Sequence, residues 1–410
     1  MLLNFRVKNY KSFVEDSELN MLAASIKEHS DSLIVENDVK VLPIAAIFGA
    51  NGSGKSNFLE AIALLHDLLI VYSSKDERVT LKDCVSSYIF DSEIKNSPTE
   101  LEISVCDKEA KKEYRYGISL NSEKILEEWL FMKVFSQTKN VKEKCVFYRE
   151  YGKKLRSDLS DKDRKEIDFV FSFTLEDELL MSNLGKRGIS KYQFIYRWFK
   201  EKANYLNYSN DIFLSKNNLK LMEVFYKNKN WLDFVVKFMK TIDESIINIE
   251  IDEETNNNLN VVYTPYSIHK NDDGSFARIP FSLESSGSKK MLTFLLYLLV
   301  SLNNGFTLVV DELDAKLHPL ILRYIVGLYS NKEINIGGGQ LIFTSHNLIC
   351  LDSSDLRRDE IFFVEKINQK SSLFSLYDFK ESSIRNDLSF GKHYLNGRFG
   401  AVPFINDDKE

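Results

Sequence analysis

Two segments, separated by more than half of this 410-residue sequence, constrain its fold more than anything else in it: Gly49-Ala50-Asn51-Gly52-Ser53-Gly54-Lys55-Ser56 and Leu308-Val309-Val310-Asp311-Glu312. The first is a full GxxxxGKS loop in the right setting. Residues 44–48 read as a short buried strand, and 57–72, opening at Asn57, as an apolar helix. A strand–loop–helix of this kind aims backbone N–H groups at a phosphate and adds the positive end of a helix dipole. Gly49 through Asn57 are therefore expected to cradle phosphates, with Lys55 reaching the β/γ-phosphates and the Ser56 hydroxyl ligating magnesium. In the second segment, Leu308 to Val310 are apolar, as a central parallel strand requires. They deliver Asp311 and Glu312 at its C-terminal end, where α/β sheets bind ligands. Asp311 is expected to hold magnesium, directly or through water, while Glu312 orients or deprotonates an attacking water.

The chain is long enough for two or three lobes with a real core. Hydrophobic content of 44% and charged content of 28% place it among ordinary soluble globular proteins. Residues 1–13 alternate apolar and charged positions and lack the apolar stretch of a signal peptide. The longest apolar run, 291–302, is too short to cross a bilayer and reads as a buried helix, so no membrane partner is expected. Cys84, Cys106, Cys145 and Cys350 are scattered without CxxC spacing, which indicates neither a disulfide framework nor a zinc site. A reduced cytoplasm follows. A net charge of −6 argues against a protein coated in nucleic acid but leaves a local patch open.

Along the chain, 2–7 look like a strand and Asn9-Tyr10-Lys11-Ser12-Phe13 like a turn with an anchoring aromatic. Residues 99–105, 113–120 and 126–134 alternate as β-ribbons do. The first lobe, 1–138, is thus α/β with an antiparallel β part. Over 139–247 charge density rises and apolar residues fall at helical spacing, which predicts a mostly helical insertion without a long coiled coil. Strand signals return at 248–251 and 261–264, beside turns at Asn256-Asn257-Asn258 and Asn271-Asp272-Asp273-Gly274. The second lobe, 248–410, then alternates helix 289–302, strand 306–310, helix 320–329 and strands 340–343 and 360–364, a pattern that fits a mostly parallel sheet. Residues 406–410 are expected to fray.

Two further segments complete the chemistry. Glu284-Ser285-Ser286-Gly287-Ser288-Lys289-Lys290 puts a Ser/Gly turn before an apolar helix, a second anion-binding element. Leu313-Asp314-Ala315-Lys316-Leu317-His318-Pro319 follows the second acidic strand, and Leu341-Ile342-Phe343-Thr344-Ser345-His346-Asn347 places a histidine just past a strand end, within reach of a γ-phosphate.

This order resembles the ABC-type ATPase heads of the SMC, RecF and RecN group, and the opening Asn9-Tyr10-Lys11-Ser12-Phe13 resembles the N-terminal turn of that group. The ending Tyr394-Leu395-Asn396-Gly397-Arg398-Phe399-Gly400-Ala401-Val402-Pro403 resembles a narrower bacterial set, the RloA- and AbiL-type AAA ATPases of phage-defence loci. Phe90-Asp91, Pro98-Thr99-Glu100 and Glu128-Trp129-Leu130 also look like that set. The resemblance implies a two-lobed head with a mixed sheet, ATP and Mg2+ as cofactors, and Lys55, Glu312 and His346 as the catalytic set. It implies that Ser285 and Gly287 bind the γ-phosphate held by a second subunit's P-loop, that Asp314 sits at the dimer seam, and that His346 is the switch histidine. The match leaves the insertion unaccounted for.

The sequence also departs from that pattern. The usual LSGGQ becomes Glu284-Ser285-Ser286-Gly287-Ser288, without its first glycine and its glutamine. No glutamine precedes Gln137, so the sequence does not give the position of the loop that normally couples magnesium to the helical lobe. A lysine-rich stretch, Lys139, Lys142, Lys144, Arg149, Lys153, Lys154 and Arg156, is interleaved with Phe147, Tyr148 and Tyr151. It reads foremost as a solvated hairpin, with a phosphate-gripping surface as the alternative; 216–240 is similar, with Trp231 and Phe234 in the core. His318 and His393 read as structural or solvent-facing. The expectation is a nucleotide-dimerised ATPase whose ATP glues two copies and whose hydrolysis at Glu312 releases them. By resemblance it senses phage infection and controls a separately encoded effector such as a nuclease. The rivals are a RecF-like DNA-binding repair ATPase and a nucleotide-gated scaffold of slow turnover.

Overall fold

The computed structural model describes residues 1–37, 39–72, 81–135, 141–188, 191–207, 216–255, 261–315, 317–352, 354–379 and 390–402, with backbone alone at 207 and 216–221. Gln137, Lys139, Asn256 to Asn258, Lys316, Pro403 and 406–410 lie outside the described residues, as does the boundary expected between 138 and 139.

The wall that carries the site is a six-stranded sheet in the order Ala203–Asn207, Thr307–Asp311, Gln340–Thr344, Ile44–Phe48, Ile361–Ile367, Lys370–Ser375. The first five strands run parallel and the last is antiparallel. A parallel sheet covered on both faces favours near-continuous apolar runs, and Ile44–Phe48, Thr307–Asp311 and Gln340–Thr344 are buried throughout, their polar residues at the strand ends. Their side chains alternate between two cores. Ala45, Ile47, Val309 and Ile342 join one cluster, whereas Ile44, Ala46, Phe48, Leu308, Val310, Leu341 and Phe343 join the other.

The first core is closed by an all-antiparallel sheet in the order Ser17–Asn20, Leu2–Lys8, Thr99–Asp107, Lys112–Leu120, Ile125–Val134, Lys144–Glu150. Between the two sheets lies the helix Lys55–Ile70, whose Phe58 meets Phe5 and Phe13 edge-on at 5.7 and 5.5 Å. Gln340 bolts the sheets together: its Oε1 accepts from the Leu2 N–H at 2.6 Å and its amide donates to the Leu2 carbonyl at 2.9 Å. The second core holds the helices Ser286–Asn304 and Pro319–Ser330. The former, 19 residues long, is the longest described helix, and no described helix is long and apolar enough to cross a membrane.

The segment 139–247 contributes five described helices, as its periodicity predicts: Asp161–Phe171, Leu180–Arg187, Phe194–Lys202, Lys216–Lys227 and Lys229–Ile242. It also supplies a strand to each six-stranded sheet, because Lys144–Glu150 closes the antiparallel one and Ala203–Asn207 forms the parallel edge beside Thr307–Asp311. Half-polar edge strands of this length carry little periodicity, which is why the sequence does not announce them. A separate three-stranded antiparallel sheet, Ile246–Thr255, Val261–Lys270 and Phe276–Pro280, leads into Ser286–Asn304.

Candidate functional site

The P-loop leaves the C-terminal end of Ile44–Phe48 and turns into Lys55–Ile70 at Gly54, whose φ is +114°. A Cβ on Gly54 would stand 2.5 Å from Ser371 Oγ and 2.9 Å from Ser12 Oγ, so the position admits glycine alone. Those two hydroxyls brace the loop from behind. Ser371 donates to the Ser53 carbonyl at 2.5 Å and lies 2.8 Å from Ser12 Oγ, which accepts from the Asn57 side-chain amide at 2.8 Å. Asn57, expected at the nucleotide, thus spends its side chain on the scaffold and keeps its backbone N–H for the loop's concavity. The backbone N–H groups of Lys55, Ser56 and Asn57 reach no acceptor among the described residues. First-turn amides left open in this way are an anion site.

Lys55 folds back over the loop. Its Nζ donates to the carbonyls of Gly49 at 2.8 Å and Ala50 at 3.1 Å, and the residue is 5% exposed. Burial lowers its pKa to about 8, against the pull of Asp311, Asp314 and Glu312. Ser53 Oγ is buried inside the same loop without a partner among the described residues.

The acids arrive two strands away, at the end of Thr307–Asp311. Asp311 is 6% exposed and accepts from Thr344 Oγ1 at 2.6 Å through one oxygen. Glu312 follows with φ at +53°, a left-handed backbone uncommon outside glycine. Its N–H donates to the same Thr344 Oγ1 at 2.7 Å, and its carbonyl accepts from Ala315 at 2.8 Å, so the side chain is turned out to solvent. Asp314 ties this loop to the next one: its Oδ2 accepts from the backbone N–H of His346 and Asn347, each at 3.0 Å, while Oδ1 is buried without a partner. His346 is thereby set past the strand Gln340–Thr344, which lies between the P-loop strand and the acidic strand. Partial burial of its ring, and then the Lys55 charge, lower its pKa below the usual histidine value, against the pull of the three acids.

Lys55, Asp311, Glu312, Asp314 and His346 are therefore one electrostatic cluster at the C-terminal edge of three adjacent strands. Among the described residues no hydrogen bond joins Ser285 or Gly287 to it. Ser285 instead caps Ser286–Asn304, accepting from the Ser288 N–H at 3.1 Å with the Ser288 hydroxyl 2.9 Å away. The Ser285 turn shares a cavity of about 160 Å³ with Ala315 and Leu317 of the loop after the acids.

Magnesium takes hard oxygen ligands, retains several waters, and in phosphate sites is held by one or two carboxylates beside the substrate oxygens. Ser56 and the second oxygen of Asp311 fit that set. No group of three or more His, Cys, Asp or Glu able to hold a metal by itself occurs among the described residues.

Thr344 is the residue that sequence reasoning passed over: a fully buried polar side chain that follows the apolar run 341–343 and serves both acids at once. Ser12 and Ser371 were likewise without a role until the fold brought them to Gly54. The tail has a place as well. The Ala401 carbonyl accepts from the Ala50 N–H at 3.0 Å and the Tyr394 hydroxyl at 2.8 Å, and the Ala401 N–H donates to Glu365 at 2.9 Å. Tyr394 and Phe399 stack on Phe363 at 5.3 and 5.8 Å. The other segments expected to mark that narrower set serve as scaffolding. Asp91 caps Ser92–Asn96, and the Thr99 hydroxyl donates to the Asn9 carbonyl at 2.7 Å. Glu128 is fully buried, accepting from Tyr116 and from the N–H groups of Leu180 and Met181 at 2.8 to 3.0 Å.

In the lysine-rich stretch, Phe147 is buried, Arg156 lies over Tyr148 and Lys124 over Tyr151. Its aromatics are engaged within the fold. His318 caps Pro319–Ser330, and His393 packs beside Phe399.

A family profile described as "AAA domain, putative AbiEii toxin, Type IV TA system" matches residues 44–352. The chain belongs to this family. The AAA domain begins with the P-loop strand and ends just past His346, so it encloses the whole cluster together with Ser285 and Gly287. Among solved structures, the SMC head domain from Thermotoga maritima is 15% identical, over 91% of this chain and 98% of that one, with a TM-score of 0.40. The ATP-binding cassette MJ0796, in a dimeric post-hydrolysis state bound to ADP and Pi, is 12% identical, over 92% and 100%, with a TM-score of 0.31. No curated protein matches the chain.

Proposed function

We propose that this AAA-family chain binds ATP with magnesium, dimerises around it, and hydrolyses it in a site that two copies complete. One observation carries the reading. Lys55, Asp311, Glu312 and His346 gather beside the open amides of the P-loop, while the Ser285–Gly287 turn, a second anion-binding element, makes no hydrogen bond with them among the described residues. A turn of that kind is of use when a second copy brings its own phosphate to it. Leu283, 74% exposed immediately before the turn, offers an apolar side chain for that copy to cover. In this reading Lys55 holds the β/γ-phosphates, Ser56 and Asp311 hold the metal, Glu312 activates the water and the neutral His346 contacts the γ-phosphate. The metal supplies charge neutralisation on the transferred phosphoryl group.

The biological role we propose is control of a separately encoded effector in antiphage defence. The family description names a toxin of a toxin–antitoxin system, and the tail motif shared with phage-defence ATPases is built onto the P-loop itself.

The test uses two inactive variants. Ser285→Arg puts bulk where the partner's γ-phosphate would lie and leaves its own P-loop intact; Lys55→Ala removes the charge among the phosphates. Each alone should fail to hydrolyse ATP. Mixed in equal amounts they should regain about a quarter of the wild-type rate, because half of the dimers would hold one intact site out of two. Normal hydrolysis by Ser285→Arg alone would show that each copy holds a complete site.

A further inference from the structure

The Ser/Gly turn departs from the LSGGQ pattern at its first residue, and that residue is the one the fold grips. Ser282, Leu283, Ser285 and Ser286 are exposed, and a Cβ on Gly287 would meet only Ser285 Oγ, at 3.7 Å. Beyond the cap that Ser285 makes with Ser288, packing therefore does little to fix the attitude of the turn. Glu284 differs. Its Oε1 lies 2.7 Å from His269 Nε2 and accepts from the Ser267 hydroxyl, and the His269 and Glu284 side chains are 17% and 10% exposed. His269 Nε2 also stands 3.1 Å from Ser267 Oγ. Both partners sit on Val261–Lys270, the central strand of the three-stranded sheet, paired on one side with Ile246–Thr255 and on the other with Phe276–Pro280. A carboxylate held by two donors on a doubly paired strand is a directional, short-range clamp.

We propose that His269 is a positioning residue of the two-copy site: through Glu284 it sets Ser285 and Gly287 in the attitude that meets the partner's phosphate. The proposal rests on the composite-site reading above. It makes the three-stranded sheet, which touches neither the P-loop nor the acids through any described hydrogen bond, the part of the chain through which the turn is adjusted.

His269→Ala removes the clamp, and His269→Gln retains an N–H donor at the Nε2 position. With the full chain, we expect His269→Ala to lower kcat for ATP about tenfold, the effect of one charge-assisted hydrogen bond. ATP-driven dimerisation should weaken in parallel. Affinity for a fluorescent ATP analogue should stay at the wild-type value, the melting midpoint should fall only slightly because Glu284 keeps the Ser267 hydroxyl, and His269→Gln should restore turnover. Wild-type turnover in His269→Ala beside an inactive Ser285→Arg would overturn the clamp while leaving the composite site standing. Equal loss of nucleotide affinity and melting midpoint would reduce His269 to a structural role and overturn the proposal in that way. An active Ser285→Arg would remove the composite site, and the clamp with it.

Discussion

Lys55 is a cation held where a cation is costly, and that tension has a measurable consequence. Burial brings its pKa down to about 8, so near neutrality the charge is kept at the expense of folding. Polyphosphate beside the ammonium would favour the charged form and raise the pKa again. The bound pKa then exceeds the free one, so affinity is complete below about pH 8 and declines as pH rises through that value. Titrating the affinity of a fluorescent ATP analogue from pH 7 to 9.5 should show the decline, approaching tenfold per pH unit at the alkaline end. A flat profile would mean that Lys55 is not the group facing the phosphates. At this scale the sequence was informative wherever chemistry demands a fixed residue type at fixed spacing, as for Lys55, Asp311, Glu312 and His346. It was silent on Ser12, Ser371 and Thr344, whose value lies in neighbours 32 to 359 residues away.

At the scale of elements, the strand Gln340–Thr344 acts as a spacer that sets the distance between the P-loop strand and the acidic strand. Its first residue bolts the two large sheets together, and its last serves both acids. Thr344→Val keeps the shape and removes the hydroxyl, leaving Asp311 without a donor and the Glu312 N–H without an acceptor. We expect stability to fall by about 1–3 kcal/mol, the cost of stranding a buried polar group. Turnover should fall further than that loss of folded protein explains; chemical denaturation and steady-state kinetics on one preparation would separate the two effects. Unchanged kinetics would show that Glu312 keeps its place without Thr344. The apolar runs 308–310 and 341–343 of this sheet were legible because burial on both faces favours near-continuous apolar sequence there. Ala203–Asn207 was not: as an edge strand it mixes Asn, Tyr and Leu, and its existence depends on Thr307–Asp311 being there to pair with.

For the whole molecule, the reading stands or falls on association. Glu312→Gln conserves shape and removes the base, so ATP should bind while phosphate release falls by roughly two to four orders of magnitude. Light scattering should then report an ATP-dependent dimer or larger assembly that wild-type protein forms only transiently. A variant that stays at monomer mass in saturating ATP would refute the sandwich. The α/β class with its mixed sheet and antiparallel β part was readable in advance because each kind of element has its own periodicity. The joining of Ala203–Asn207 to Thr307–Asp311 was not, since pairing across 104 residues leaves no local mark.

The contact between Ala50 and Ala401 also has a bearing on how such a chain is made. Residue 50 leaves the ribosome early, and the carbonyl that completes its surroundings follows about 350 residues later, close to a minute of synthesis at the slower rates of translation. For most of that interval the loop has its glycines and its lysine but lacks the tail's hydrogen bond. A fragment released by a premature stop would carry the motif without this support. The loop's full set of hydrogen bonds thus forms only once residue 401 has been made.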